Sequence, residues 1–448
     1  MHCFRVLAAL PVFVVFFFLF PDFGHAEDAL QHYIEKPDST YAWSIREKRD
    51  YNSITIYEIY LRSQTWRDIE WTHQLRILVP RRLQNTKYAL LFLTGGSIKD
   101  NEPRWKTGMD QEIRLIGDIA NKTGSLVVIM RQVPNQPLFG DKKEDEIISY
   151  TFQQYFETQD KTWPLLFPMV KSAVRAMDAI QEFSEKQLRQ TVNHFVIAGA
   201  SKRGWTTWLT GASDPRVTAI APMVIDMLNM KPQMDYQLQV WDQYSEQIGD
   251  YTELDLQKKL DEPEGKILAE MVDPYAYREK LTMPKFIFIG TNDRYWPVDA
   301  IKFYFDDLKG EKYIHYVPNA GHNLGAGLQA AKSLAGFFGA CVAGLPHPSL
   351  DWSVANENRK IILRIKPEDT VKHVKLWQSR SNDRDFREER WYSTKQITKD
   401  SSQYAIPVLV PKNGYKAFYA QVIFPSPIGG TYSQCTRVYV IDANGEVK

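Results

Sequence analysis

Short, continuous apolar runs dominate the middle of the chain and alternate with segments of helical periodicity. These runs lie at residues 88–93, 125–130, 195–198, 217–225 and 285–289. Continuous runs rich in β-branched and aromatic side chains are typical of parallel strands that are buried on both faces. Between the runs, apolar positions at helical spacing predict a helix near 163–184. This alternation predicts an open α/β sheet with right-handed crossovers.

The two flanks of this region have a different pattern, in which apolar and polar residues alternate. The alternation at 53–57 and 75–79 predicts antiparallel strands with one face open to water. After Pro346 and Pro348 the alternation returns and predicts a β-sandwich of about a hundred residues. We therefore expect an α/β domain at 27–345 and an all-β sandwich at 346–448.

Between about residues 227 and 281 the strand pattern stops, and the chain becomes polar and acidic. We predict a mostly helical cap inserted between two sheet strands. Its early Met and aromatic side chains, Trp241 among them, either cover the core of the cap or face a substrate.

The first 26 residues predict a secretory signal. Arg5 precedes an apolar run that extends to Phe20, and small residues at Gly24 and Ala26 fit a cleavage site before Glu27. An uncleaved anchor helix is the alternative, but the run is shorter than the roughly twenty residues that span a bilayer. We expect export to a periplasm or to the medium, without a stable membrane span after cleavage.

Charge and cysteine content exclude several classes of function. The formal net charge is +1 and the chain contains no long basic run, so nucleic acid is not an expected partner. After signal cleavage only Cys341 and Cys435 remain, which either pair or lie buried as small hydrophobes. Zinc-binding spacings do not occur in the sequence, and we expect neither a metal nor a cofactor.

The predicted strand at 195–198 leads into Gly199-Ala200-Ser201-Lys202-Arg203-Gly204 and then into residues that suit a helix. This nearly matches the G-x-S-x-G turn that exposes a nucleophilic serine at the carboxyl edge of a sheet. The second glycine comes one place late, with Arg203 in its position. A phosphate-binding loop is disfavoured because Trp205 replaces the required lysine. A structural turn of small residues remains an alternative.

A nucleophilic serine needs a base, and the base needs an orienting carboxylate. Asp293 follows the predicted strand at 285–289, and His322 follows the next one at 313–317. The order Ser, Asp, His, with each residue after a strand, is that of an α/β-hydrolase triad. Asp226 also follows a strand and is the alternative acid. The other interpretation makes Asp293 and His322 ordinary turn residues.

Other residues are predicted to complete the site. The oxyanion hole is assigned to the N–H of Lys202 and to Gly95 and Gly96, which follow the first buried strand. Arg203 is assigned to substrate binding, although a solvated cation at a helix start is the alternative. Two aromatic residues, Trp241 and Trp296, are assigned to the same role.

Several long segments resemble the PhoPQ-activated pathogenicity-related family. They include LLFLTGGS at 90–97, GASKRGWTTWLTGASDPRV at 199–217 and GTNDRYWPVDAIKFYFDDLKGEKYIHYVPNAGHNL at 290–324. The resemblance implies export and an α/β-hydrolase-like domain, but it supplies no substrate. The turn at 199–204 is also similar to that of glucuronoyl esterases, which locally suggests an ester with a nearby acid.

Together these features predict an exported serine hydrolase that acts on a small-molecule, glycan or lipid ester. The fold is predicted to be an α/β-hydrolase domain with a helical cap, followed by a β-sandwich. The alternative is a secreted binding or signalling protein that keeps the hydrolase scaffold without turnover. A carbohydrate-binding cleft formed by the cap and its aromatic residues is a further possibility.

Overall fold

The protein is described by a computed structural model that covers residues 28–357, 360–396 and 403–448. The predicted signal segment, residues 1–26, lies outside these described residues. Within the described ranges, none of the helices combines the length and the apolar character needed to cross a membrane.

The strands of the described ranges are numbered in chain order. They are β1 (Ala42–Asp50), β2 (Ile54–Trp66), β3 (Ile69–Pro80), β4 (Tyr88–Leu93), β5 (Ile98–Lys99), β6 (Glu102–Pro103), β7 (Leu126–Met130), β8 (His194–Ala200), β9 (Val217–Met223), β10 (Lys285–Gly290), β11 (Lys312–Val317), β12 (Leu350–Glu357), β13 (Lys360–Pro367), β14 (His373–Ser381), β15 (Tyr392–Gln396), β16 (Tyr404–Leu409), β17 (Tyr415–Pro425), β18 (Thr431–Cys435) and β19 (Tyr439–Asp442).

The α-helices are numbered in the same way. They are α1 (Asp28–Glu35), α2 (Gln111–Thr123), α3 (Asp145–Thr158), α4 (Leu166–Phe183), α5 (Lys202–Ser213), α6 (Met230–Trp241), α7 (Gly249–Thr252), α8 (Leu256–Lys259), α9 (Pro263–Val272) and α10 (Leu328–Ala343).

The central sheet has the strand order β2-β3-β7-β4-β8-β9-β10-β11. The strand β3 is antiparallel to both of its neighbours, whereas β7, β4, β8, β9, β10 and β11 run parallel to one another. This order, with its antiparallel second strand, is that of the α/β-hydrolase fold. The predicted fold class is therefore confirmed.

Two apolar cores lie on opposite faces of this sheet, and successive residues of a strand alternate between them. In β8, Phe195 and Ile197 belong to the core shared with α4 and α5. Val196 and Ala198 belong to the core shared with α2 and α10. Helices on both faces explain why the central strands have continuous apolar sequences rather than alternating ones.

The predicted helical cap is present between β9 and β10 and contains α6, α7, α8 and α9. It is tied to the domain beneath it by the indole of Trp205 on α5, whose Nε1 donates to the carbonyl oxygen of Val272 at 2.5 Å. The cap therefore rests directly on the helix that follows β8.

The C-terminal strands form two sheets that face one shared core. The strands β12, β13 and β16 form a separate three-stranded sheet, and Leu363 from it packs in the same apolar cluster as Leu376 and Phe418 from the other sheet. The other sheet continues the central one, because Ile314 of β11 pairs with Cys435 of β18. The predicted boundary at residue 345 thus falls between two parts that share one hydrogen-bonded sheet.

The two cysteines of the predicted mature chain do not pair with each other. Cys341 is partly buried, Cys435 is fully buried, and both are free. Burial raises the pKa of each thiol to about 12. They are small apolar side chains in this fold, the second of the two alternatives that the sequence allows.

Candidate active site

The sequence around Ser201 folds into a sharp turn between a buried strand and a helix. The strand β8 ends at Ala200 and α5 begins at Lys202, so Ser201 is the single residue between them. Its backbone has φ 59° and ψ −128°, a conformation that costs a non-glycine residue about 1–3 kcal/mol. The Ser201 side chain makes no capping hydrogen bond to α5. The hydroxyl is therefore left available for chemistry.

The two glycines of the turn are required by close backbone approaches. A Cβ atom at Gly199 would lie 2.6 Å from the carbonyl oxygen of Arg203, and one at Gly204 would lie 2.9 Å from that of Met223. The displaced second glycine is thus explained by packing of the first turn of α5 against β9. Position 203 can carry an arginine because the Arg203 side chain extends away from the turn to the Glu144 carboxylate.

The acid and the histidine lie on two loops that touch at the carboxyl edge of the sheet. Asp293 follows β10, His322 follows β11, and the Nδ1 of His322 lies 2.9 Å from the Oδ2 of Asp293. A Cβ at Gly290 would lie 2.4 Å from the carbonyl oxygens of both Ala320 and Gly321, so the loops come into direct backbone contact. The absence of a side chain at Gly290, the last residue of β10, allows the two loops to approach this closely.

His322 is positioned by its neighbours and has one nitrogen left over. The ring of Tyr295 packs on the imidazole with centroids 4.3 Å apart, and the backbone N–H of Tyr295 donates to Asp293. The Nε2 of His322 is buried and has no hydrogen-bond partner among the described residues. Ser201 and His322 line the same cavity without a hydrogen bond between them. Such bonds are often long in unliganded hydrolases and tighten when substrate binds.

Asp226, the alternative acid, contacts a different partner. Its Oδ1 accepts a 2.6 Å hydrogen bond from the hydroxyl of Tyr304. Burial raises the pKa of Asp226 to about 7, and the nearby Asp293 and Asp299 carboxylates add to that effect. Of the two candidate acids, Asp293 is the one in contact with the imidazole.

Lys202 and Arg203, the two cations beside Ser201, are held by carboxylates. Arg203 donates to both carboxylate oxygens of Glu144 at 2.7 and 2.8 Å. The ammonium of Lys202 lies 2.7 Å from Glu144 and 3.4 Å from Asp145. Burial raises the pKa of Glu144, but the hydrogen bonds and charges of the two cations outweigh it and hold that pKa well below its usual range. Arg203, predicted to bind substrate, is engaged in this ion pair and does not line the cavity.

The glycine pair proposed for the oxyanion hole lies next to the nucleophile turn. Leu93 of β4 pairs with Gly199 of β8, which sets the start of the glycine loop beside the turn. A Cβ at Gly95 would lie 2.8 Å from the Arg203 guanidinium, and one at Gly96 would lie 2.8 Å from the Gln132 side-chain nitrogen. Both glycines therefore pack closely against polar side chains, and neither lines the cavity.

The cavity that contains Ser201 and His322 has a volume of about 100 Å³ and lies between the sheet edge and the cap. Trp296, which sequence analysis assigned to substrate binding, lines it. Trp241 does not line the cavity, and the guanidinium of Arg387 lies over its ring at 4.0 Å from the centroid. The wall is otherwise mainly apolar and is formed by the following residues: Phe152, Trp205, Val224, Ile225, Met227, Met230, Met234, Ile248, Leu256, Leu260, Leu268, Ala269 and Val272.

Sequence analysis missed Glu144 and Asp145. Asp145 also accepts hydrogen bonds from the hydroxyls of Tyr251 and Tyr295, at 3.2 and 3.3 Å. Burial and the Asp145 charge raise the pKa of both phenols, so they stay protonated and donate. The acidic stretch 141–146 is typical of a solvated loop, and nothing local in the sequence indicates that it meets the start of α5.

A segment near the C-terminus also supports the site. The side-chain amide of Asn292, next to Asp293, donates to the carbonyl oxygens of Phe386, Arg387 and Glu389. Asn319, on the loop that carries His322, exchanges two hydrogen bonds with the backbone of Trp391. Both loops of the acid–histidine pair are thus anchored to residues 386–391.

Within the described part of the chain, no group of three or more His, Cys, Asp or Glu side chains is arranged to hold a metal ion. The groups at this site that can take part in a reaction are the hydroxyl of Ser201, the imidazole of His322 and the backbone N–H groups at the start of α5. This arrangement is suited to acyl transfer.

Comparison with known sequences identifies relatives over most of the chain. The sequence profile of the PhoPQ-activated pathogenicity-related proteins matches residues 30–387. Autocrine proliferation repressor protein A of Dictyostelium discoideum is 32% identical over 428 residues, which cover 88% of this chain and 85% of that protein.

Solved structures with a similar backbone fold include esterases. Acetyl xylan esterase 1 from Thermoanaerobacterium is 13% identical, with a TM-score of 0.46, and the match covers 66% of this chain and 88% of that one. For the glucuronoyl esterase from Solibacter usitatus the values are 11% identity, a TM-score of 0.41, and coverage of 68% and 91%.

Proposed function

This chain belongs to the PhoPQ-activated pathogenicity-related protein family, and we propose that within it the chain is an exported serine hydrolase that cleaves carboxylic esters. The observation that carries this proposal is the 2.9 Å contact between Asp293 and His322. That pair shares a cavity with Ser201, a serine on a strained strand-to-helix turn. The presence of a serine and a histidine–carboxylate pair at one cavity supports acyl transfer.

In the proposed reaction, the Oγ of Ser201 attacks the ester carbonyl carbon while the Nε2 of His322 takes the hydroxyl proton. Asp293 holds the proton on Nδ1 and stabilises the imidazolium that forms. The tetrahedral intermediate collapses, and His322 returns the proton to the leaving alcohol. A water molecule then attacks the acyl-enzyme by the same proton route, which releases the acid and restores the serine.

Negative charge develops on the carbonyl oxygen in both steps. We assign its stabilisation to the backbone N–H of Lys202, which lies in the first turn of α5, where unpaired N–H groups and the helix dipole favour an anion. Gly95 and Gly96 are assigned the second N–H, since their loop starts opposite Gly199. We favour an ester over a peptide because no sequence feature indicates that the protein holds an extended chain.

A fluorophosphonate probe tests the nucleophile directly. We expect labelling of the wild type, loss of labelling in Ser201→Ala, and full labelling in Ser213→Ala. Ser213 is a matched control because it lies on the same helix, α5, with its hydroxyl donating to the carbonyl of Leu209. Absence of labelling in the folded wild-type protein would contradict the proposed activity.

The second candidate function is that of a secreted signalling or binding protein without turnover. It is favoured by the name of the Dictyostelium relative, which describes a repressor of proliferation. The two candidates differ in their dependence on Ser201. If Ser201→Ala keeps a biological effect of the secreted wild-type protein, the signalling role is independent of hydrolysis.

Export is proposed from the first 26 residues. Expression of the full chain in a bacterial host should yield a mature protein that starts at Glu27, recovered from the periplasm or the medium. Mass spectrometry of the fractionated protein measures this directly. A chain that keeps Met1 and stays in the cytoplasm would contradict export.

A further inference from the structure

We propose that the cavity at Ser201 binds the acyl part of the ester and selects a short, uncharged, mainly hydrocarbon acyl group of about four carbons. This rests on the proposed function of the site and adds its substrate class. The lining residues of the cavity, its volume and the existing ion pairs of its charged groups all favour such an acyl group.

The wall opposite the triad is built from apolar side chains of the cap. Met230 and Met234 come from α6, and Leu268, Ala269 and Val272 come from α9. Moving one methylene group of a ligand from water to contact with such a wall is favourable by about 0.8 kcal/mol, which corresponds to a factor of about four in the binding constant. Methionine side chains adapt to acyl groups of slightly different shape. An aliphatic chain is therefore the complementary ligand.

The volume limits the length of that chain. The cavity measures about 100 Å³, whereas an apolar cavity of about 150 Å³ accommodates benzene, with its six carbons. By proportion, about four carbons fill this cavity. Longer chains have to displace cap side chains or extend into solvent.

The charged groups at the cavity exclude an acidic acyl group. The Lys202 side chain is only 6% exposed, and its ammonium is already neutralised by Glu144 and Asp145. Asp145 itself lines the cavity. A second carboxylate would meet Asp145 without a free cation among the lining side chains that the structure describes. Burying such an unpaired charge is strongly unfavourable.

The remaining amide on the wall points to the same selection. Gln257 lines the cavity, and its buried Oε1 has no donor among the described residues. A side-chain amide can present either its oxygen or its N–H groups, so it can hydrogen-bond to a neutral polar group, but it supplies no positive charge to balance a carboxylate. The cavity thus opposes the acid-bearing ester suggested by the local similarity to glucuronoyl esterases.

Methyl esters hydrolysed in a pH-stat test the selection. Methyl butyrate and monomethyl succinate are a matched pair, because one differs from the other only by a terminal methyl in place of a carboxylate. We expect kcat/KM for methyl butyrate to exceed that for methyl acetate by about 15-fold and that for monomethyl succinate by about tenfold or more. Methyl octanoate should be hydrolysed more slowly than methyl butyrate.

A variant that fills the cavity links this preference to the wall. Ala269→Leu adds three carbons to the lining, so kcat/KM for methyl butyrate should fall by about tenfold while that for methyl acetate changes by less than about threefold. Lys266→Leu introduces the same side chain at an exposed position of α9 and should leave both values unchanged. Thermal melts of both variants confirm that they are folded.

Two results would overturn the inference: monomethyl succinate hydrolysed as fast as methyl butyrate, or methyl octanoate preferred over both. If Ser201 is still labelled by fluorophosphonate, these results leave the proposed hydrolase function intact.

Binding of the esters to the Ser201→Ala variant gives a readout that needs no turnover. Methyl butyrate should raise its melting temperature and monomethyl succinate should not, and the reverse order contradicts the selection even in an inactive protein.

Discussion

The ion pairs beside Ser201 allow a quantitative prediction for Glu144→Gln, which keeps the shape of the side chain and removes its charge. Arg203 and Lys202 are 10% and 6% exposed in their side chains, whereas Glu144 is 42% exposed. Removing one partner of a fully buried pair costs about 3–5 kcal/mol, and an exposed pair contributes about 0–1 kcal/mol. Since water screens Glu144 but not the cations, we expect a loss of about 2 kcal/mol in the free energy of unfolding.

Urea unfolding followed by tryptophan fluorescence measures this loss as a shift in the midpoint at constant slope. Glu146→Gln is the matched control, because Glu146 forms an ion pair with Lys142 at 3.1 Å and both side chains are solvent-accessible. The control should change the free energy of unfolding by less than about 0.5 kcal/mol. A Glu144→Gln variant as stable as the control would refute the reasoning.

The pH dependence provides a second check on the same pair. The folded state holds the pKa of Glu144 far below its usual value, so the unfolded chain binds the proton more readily as pH falls. The stabilisation is therefore complete above about pH 5 and is lost as the pH falls through the folded pKa. We expect a constant difference between wild type and Glu144→Gln from pH 8 to about 5 and a smaller one in more acidic solution. A difference in the free energy of unfolding between wild type and Glu144→Gln that grows on acidification would contradict this prediction.

Three further substitutions have distinct expected outcomes. Asp293→Asn should lower kcat for ester hydrolysis by about 10³–10⁴ because the amide no longer holds the required tautomer of His322; a loss below tenfold in a pH-stat assay contradicts its role. Asp226→Asn should stabilise the protein at pH 8 by roughly 2–4 kcal/mol, because burial raises the pKa of that carboxyl to about 7 and its ionisation above the unfolded value destabilises the fold. Urea titrations at pH 5 and pH 8 measure this, and equal gains at both pH values argue against it. Trp205→Phe should cost about 1–3 kcal/mol by leaving the buried carbonyl of Val272 without its donor, and thermal melts that match the wild type count against this.

Continuous apolar runs made the central strands predictable to within a residue or two. Residues 88–93 form β4 as predicted, and 285–289 form all but the last residue of β10. The reason is physical: strands buried on both faces need apolar side chains at every position, which leaves an unambiguous signal. Because parallel strands end at one edge of a sheet, the same strand pattern predicted that Ser201, Asp293 and His322 lie near one another. Asp293 contacts His322, and His322 lines one cavity with Ser201.

Contacts between distant segments were not predictable in this way. Arg203 was assigned to substrate, but its partner Glu144 lies on an acidic loop 59 residues away. Trp241 was assigned to substrate as well, but it is covered by Arg387 from the other end of the chain. The pairing of β11 with β18 rests on the single register pair of Ile314 with Cys435. None of these contacts has a local pattern, since each depends on how whole elements pack.

The anchoring of the acid and histidine loops to residues 386–391 has a consequence for protein engineering. A fragment that stops at residue 345 loses the three carbonyl acceptors of Asn292 and both backbone partners of Asn319. Such a fragment keeps every strand of the parallel sheet, but the loops that carry Asp293 and His322 lose the hydrogen bonds that hold them. A minimal fragment meant to keep the proposed active site therefore has to include the C-terminal strands, and grafting a foreign domain onto position 345 removes the contacts that hold the two loops.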